Sequence, residues 1–175
     1  MSYAKASTFG VLDFFLVTVL GLVLSAAQAA IVPWTGGAGP EAAVILVIYA
    51  AWRAEKWAAV LVAFILGLFR DAVGGGLLGI HQTALILTAW VLHPWRRRVR
   101  LEAPLPLMFC VFALTLGGDF LILIPLTALL AWPSPGFNPV PALLAGALAS
   151  ALAAPPLFWL LLRLSGDRGA DARHG

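Results

Sequence analysis

Long apolar runs fill this chain, and the short breaks between them alternate between two kinds. One kind is basic: Lys5, then Arg53 and Lys56, then Arg96, Arg97, Arg98 and Arg100, and finally Arg163, Arg168 and Arg173. The other is rich in proline and glycine and nearly free of Lys and Arg, with Arg70 the exception. A helix needs ~20 apolar residues to cross the hydrocarbon core. Cytoplasmic loops of membrane proteins hold an excess of Lys and Arg. The alternation therefore predicts an all-α integral membrane protein with six transmembrane helices, at about 11–32, 41–52, 57–69, 75–92, 105–131 and 140–164, with both ends in the cytoplasm. Outer loops are expected near 33–40, where Pro33 breaks the first helix, and near 70–74 and 132–139.

The second and third runs need an argument, because together they read as one long helix centred on Arg53, Glu55 and Lys56. That helix would bury three charges at the bilayer midplane, at ~3 kcal/mol each. It would also move the arginine cluster outside. Two short helices and a tight cytoplasmic turn avoid both costs, with the shortness absorbed by thinning, tilt or shielding by neighbours. All of Trp34, Trp52, Trp57, Trp90, Trp95, Trp132 and Trp159 fall at or near a predicted span end, where indole is favoured.

Composition supports the solvent assignment. Of 175 residues, 62% are hydrophobic and 11% charged, against roughly 25% charged in soluble domains; mean hydropathy is +0.97. The net charge of +3 is spread over inner loops, which fits attraction to anionic lipid and excludes nucleic acid as the expected partner. The N-terminal run with Ala27-Gln28-Ala29 imitates a cleavable signal, but Asp13 interrupts it, and an uncleaved first helix is expected. Residues 1–165 form one transmembrane domain, and 166–175 are expected to be a disordered cytoplasmic tail.

Candidate chemistry is sparse. Asp119 follows Gly117-Gly118 near the middle of the fifth span, as a proton or substrate site or as a carboxyl facing the bundle interior. Arg70-Asp71 reads as a neighbouring pair, with Arg70 reaching for headgroups. Gly75, Gly76 and Gly79 allow a close turn into the fourth helix; a phosphate loop is rejected for want of a Lys-Ser/Thr ending. His81 and His93 belong at opposite faces, so no metal site, cofactor site or nucleophilic triad is expected. Cys110 reads as a small buried hydrophobe. The run Arg96, Arg97, Arg98 and Arg100 is a candidate contact for a partner or anionic lipid. The small-residue row containing Gly146 and Ser150 is either a partner-docking face or packing within the bundle. Pro155-Pro156 is expected to break or kink the sixth helix.

The segment Pro40-Glu41, a helix ending Tyr49-Ala50-Ala51, a charged turn, Gly67-Leu68-Phe69-Arg70-Asp71, and then Gly75-Gly76-Leu77-Leu78-Gly79 resembles the rod shape-determining MreD family. The basic loop at Arg96 to Arg100 continues the likeness, and Glu41 and Arg70 depart from it. The resemblance covers about residues 40–100. It implies family-motif roles for Pro40, Gly67, Asp71, Gly75, Gly76 and Gly79. It also implies a fold similar to the six-helix substrate-binding subunits of energy-coupling-factor transporters. The implied function is a non-catalytic inner-membrane scaffold of the bacterial elongation machinery. Its implied partners are MreC, and with it MreB, RodZ, RodA and the transpeptidase that accompanies RodA. The rival reading is the substrate-binding subunit of a vitamin transporter, which needs a polar cavity near the outer face.

Overall fold

The computed structural model of the chain describes residues 9–35, 39–74, 78–96, 103–130 and 138–171. Six helices follow one another: α1 (Val11–Thr35), α2 (Ala42–Arg53), α3 (Lys56–Gly74), α4 (Ile80–Trp95), α5 (Pro104–Leu130) and α6 (Val140–Asp171). Four of them, α1, α3, α5 and α6, are long and apolar enough to cross a membrane. At ~1.5 Å per residue α2 is only ~18 Å long and α4 ~24 Å.

The shortness of α2 is explained by where it lies. Every residue from Ala43 to Ala51 is buried, and the helix packs against α1, α3, α4, α5 and α6. It is the axis of the bundle, shielded from lipid by its neighbours. Tyr49 anchors its lower half, with its ring edge-on to Phe158 at 5.4 Å and its hydroxyl 3.0 Å from Ser165 Oγ. The long helices show the opposite habit. On α1, Val17, Thr18, Gly21 and Ser25 face inward while Phe15, Val19 and Val23 are exposed, as a lipid-facing wall requires.

The predicted break between the second and third helices is present: Ala54 turns to extended backbone at ψ 167° and α3 starts at Lys56. Arg96 at the end of α4 donates from its guanidinium to the Ala54 carbonyl at 2.7 Å, closing the turn against the fourth helix. Aromatic rings collect at this end. Lys56 Nζ stands 3.6 Å over the Trp90 ring, Arg53 lies 6.0 Å from Trp52, and Arg163 lies 5.3 Å from Trp159. Cation and indole share a boundary position because each has an apolar body and a polar tip.

Several boundaries differ from expectation. The first helix continues past Pro33 to Thr35, and Arg70 to Gly74 form the last turn of α3 instead of a loop. Leu78 and Gly79 form a turn, so the fourth helix starts at Ile80. The sixth helix runs unbroken through Pro155 and Pro156 and past the expected tail boundary to Asp171. Each proline removes one intrahelical donor, but a long helix adds bonds at each step without a new nucleation cost, so the remaining ladder holds. Of the expected tail, 166–171 continue the helical backbone, and 172–175 lie outside the described residues.

Candidate functional site

Between them, Gly67 and Asp71 assemble one structural device, the α3–α4 hairpin. Gly67 and Asp71 are one helical turn apart on the face of α3 that meets α4. A Cβ at Gly67 would lie 2.3 Å from the Gln82 Cα, so no side chain fits between the two backbones. This close approach brings the Asp71 carboxylate, 2% exposed, to the start of α4. It accepts hydrogen bonds from the backbone N–H of Gly79 at 2.8 Å, His81 at 3.0 Å and Gln82 at 3.2 Å. A fourth contact joins it to His81 Nδ1 at 2.9 Å. The first N–H groups of a helix have no partner inside it, and its N-terminus carries partial positive charge. Asp71 answers both needs from a neighbouring helix. Gly79 occupies the N-cap position of α4 with φ +96° and no side-chain cap of its own. Glycine adopts that left-handed backbone at no steric cost.

The expected Arg70–Asp71 pair is therefore replaced by two separate partnerships. Arg70 pairs instead with Glu41, just ahead of α2. Adjacent residues on a helix point ~100° apart, so one faces α4 while the other faces α2. The Glu41 backbone N–H donates to Ser150 Oγ on α6 at 2.7 Å, and that hydroxyl donates to the Gly146 carbonyl at 2.8 Å. Ser150 is fully buried. Gly146 and Ser150 are thus buried inside the bundle, as in the packing alternative of the two readings given for that row. Small residues admit the close approach, and the hydroxyl bridges two helices.

Asp119 completes the polar group. With Glu41, Arg70, His81, Thr88 and Thr115 it lines a cavity of ≈ 10 Å³, about the room one water needs. Counted from the end where Arg53, Lys56 and Arg96 lie, Glu41, Arg70 and Asp119 stand ~18, ~21 and ~22 Å along α2, α3 and α5. They share one level of the bundle, toward the end away from those basic residues, in a protein whose surroundings are lipid. In such a medium unpaired charge is costly, and intramembrane ionisable groups face one another or a hydrated space. Glu41 and Asp71 have partners. Asp119 makes no direct hydrogen bond or ion pair among the described residues but lies within electrostatic reach of Arg70 and Glu41, and the Thr115 hydroxyl, 1% exposed, is unmatched.

Of the remaining predicted residues, Pro40 is exposed ahead of α2 and accepts a bond from Ala42 N at 3.1 Å. Arg96 serves the α2–α3 turn. Arg97, Arg98 and Arg100, and Gly75 and Gly76, lie outside the described residues. The reading of residues singly missed Glu41, His81 and Thr115. Glu41 and Ser150 are 109 positions apart, and no local spacing signals their contact. His81 carried a usable signal, since it falls in the first turn after a glycine, where orphan N–H groups attract a carboxylate.

Six helices, four of them able to span a bilayer, joined by buried charges at a common depth, define a multi-pass helical membrane protein. A family model for the rod shape-determining protein MreD matches residues 7–164, and the chain belongs to that family. Membership assigns it a role in rod-shape determination, in a family known for shape and not for catalysis. No curated protein and no solved structure matches the chain.

Proposed function

We propose that this chain is a non-catalytic scaffold of the bacterial inner membrane that binds MreC and helps couple the MreB cytoskeleton to peptidoglycan synthesis. In this reading the end bearing Arg53, Lys56 and Arg96 faces the cytoplasm, where Lys and Arg are retained. The arrangement of the six helices follows that of the energy-coupling-factor substrate-binding subunits. RodZ, RodA and its transpeptidase complete the assembly, and anionic lipids surround the basic end.

Family membership over residues 7–164 carries the reading. The architecture supports it. An α2 buried from Ala43 to Ala51, pinned at one end by Arg70–Glu41 and Ser150 and at the other by Ser165, makes a stiff body whose outward faces are apolar. Such a body recruits other helices from within the membrane. A vitamin-capturing subunit needs a polar cavity of roughly 300 Å³ or more, whereas the polar cavity here holds ≈ 10 Å³.

The experiment is recovery of an MreC homologue with the tagged chain from native membranes in mild detergent, alongside deletion of the gene. Co-recovery and loss of rod shape are the expected results. A chain that isolates alone from cells that keep their shape refutes the proposal.

A further inference from the structure

Hydroxyls on these helices share a habit. Thr83, Thr88, Thr127 and Ser150 each donate to a carbonyl three or four residues back, the usual refuge of a hydroxyl in a helix. Thr115 does not. It is 1% exposed, its hydroxyl has no hydrogen-bond partner, and it lines the small polar cavity. Thr18 and Ser25 on α1 are unmatched too, but neither lines this cavity. Leaving a buried hydroxyl without a partner is costly, so the space that Thr115 borders has something to supply.

The other walls say what that is. Asp119 follows Thr115 by four residues on α5 and lines the same space, as helical spacing requires. Facing them are Arg70, already paired with Glu41, and Thr88, whose hydrogen goes to the Ala84 carbonyl while its oxygen stays able to accept. The cavity measures ≈ 10 Å³, room for one water and for no larger guest. A buried water needs about two to four polar partners. Here Thr115 and Arg70 can donate, and Asp119 and Thr88 can accept. A metal cation is disfavoured, because the Arg70 guanidinium shares the space.

We propose that this cavity is the binding site of a single internal water molecule. The water accepts from the Thr115 hydroxyl and the Arg70 guanidinium and donates to the Asp119 carboxyl. Each group is then matched in a region where lipid offers no partner. The link has a structural consequence. Direct bonds tie α2, α3, α4 and α6 at this level, whereas Asp119 and Thr115 of α5 join it through an exchangeable molecule. The site belongs to the bundle itself and stands whether or not the chain binds MreC.

Two measurements on the full chain in mild detergent test the site. X-ray pulses turn bound water into hydroxyl radicals, which mark the nearest side chains. Val44 and Leu85 line the cavity, while Leu46 and Val47 are also buried and do not. Val44 and Leu85 should label at least threefold faster than Leu46 and Val47. The second measurement is the thermal midpoint of Thr115→Val, which keeps the side-chain shape and removes the hydroxyl. With water in place, the variant strips it of a partner and the midpoint falls by ~2–4 °C, while Thr115→Ser stays near wild type. In a dry cavity the same change removes an unmatched group and the midpoint rises, as Thr18→Val should do on α1. A rise or no change in Thr115→Val overturns the proposal. Equal labelling of the two pairs overturns it as well; with a lowered midpoint, that result assigns the hydroxyl to the Val111 carbonyl of its own helix. If Thr115→Val does not accumulate, the labelling of wild type decides alone.

Discussion

Replacing Asp71 tests whether its carboxylate is a helix cap delivered across a hairpin. Asp71→Ala removes the acceptor of three backbone N–H groups, those of Gly79, His81 and Gln82. A donor left unmet in a buried site costs ~1–3 kcal/mol. Discounting Gly79, which lies beside the turn, the two remaining donors give about 2–6 kcal/mol, against ~0.5–2 kcal/mol for an ordinary surface cap. Stability totals only ~5–15 kcal/mol in folded domains. For a chain of this size the midpoint of thermal unfolding falls ~2–4 °C per kcal/mol, so a drop on the order of 10 °C is expected. Asp71→Asn behaves differently. Its carbonyl can stand where Oδ2 accepts from Gly79 and Gln82, and the amide nitrogen then opposes the His81 N–H, at a cost of about 1–3 kcal/mol.

The assay is thermal unfolding in mild detergent, read by the fraction that stays monodisperse, with backbone hydrogen exchange to localise the change. Asp13→Ala is the control, since Asp13 caps only an exposed Gly10 N–H at the start of α1. The expected order of stability is wild type, Asp13→Ala, Asp71→Asn, Asp71→Ala. Faster exchange in Asp71→Ala should be confined at first to the opening turn of α4. The reasoning fails if Asp71→Ala melts within 2 °C of wild type, or if Asp71→Asn is the worse of the two.

Gly67→Ala should lower the same midpoint at least twice as far as Gly21→Ala. At Gly67 the new methyl meets Gln82 backbone at 2.3 Å, while at Gly21 it meets the movable end of Leu66 at 2.6 Å, and overpacking costs ~1–3 kcal/mol or more where nothing can give. Arg70→Leu should be more damaging than Glu41→Leu, because it strands Glu41 near Asp119 with no cation at that level. The double variant should recover part of the loss in a melting cycle; equal single effects with plain additivity would contradict the pairing. Ser150→Ala removes the acceptor of the Glu41 N–H and should cost about 1–2 kcal/mol in the same melt, without changing the amount inserted in the membrane.

How much of this was legible beforehand follows from the physics of each signal. The helices and the turn at Arg53 to Lys56 were legible because lipid penalises charge and unpaired backbone so strongly that few sequences fit. Which helix lies at the centre was not legible. In water a buried face differs from an exposed one in polarity, but in lipid both are apolar, so Ala43 to Ala51 read like any other span although all are buried. The roles of Gly67 and Asp71 were half legible. A glycine and an aspartate one turn apart mark a close, polar helix face, but not what they face. The answer depends on a turn that folds α4 back with Gly79 at positive φ.

The pairing of Arg70 was misread for a related reason. Adjacency in sequence suggested Asp71, yet neighbours on a helix diverge, and the true partner, Glu41, begins another helix. That divergence gives the site its structural logic. One residue fastens α3 to α4 and the next fastens α3 to the entry of α2, which Ser150 holds to α6. Four helices are thus tied at one level by two consecutive side chains and one hydroxyl. Asp119, on the fifth helix at that level, lines the same small cavity and shares the attraction of Arg70 with Glu41. Arg70 therefore stands beside two carboxylates, which is why its loss is expected to cost more than the loss of Glu41 alone.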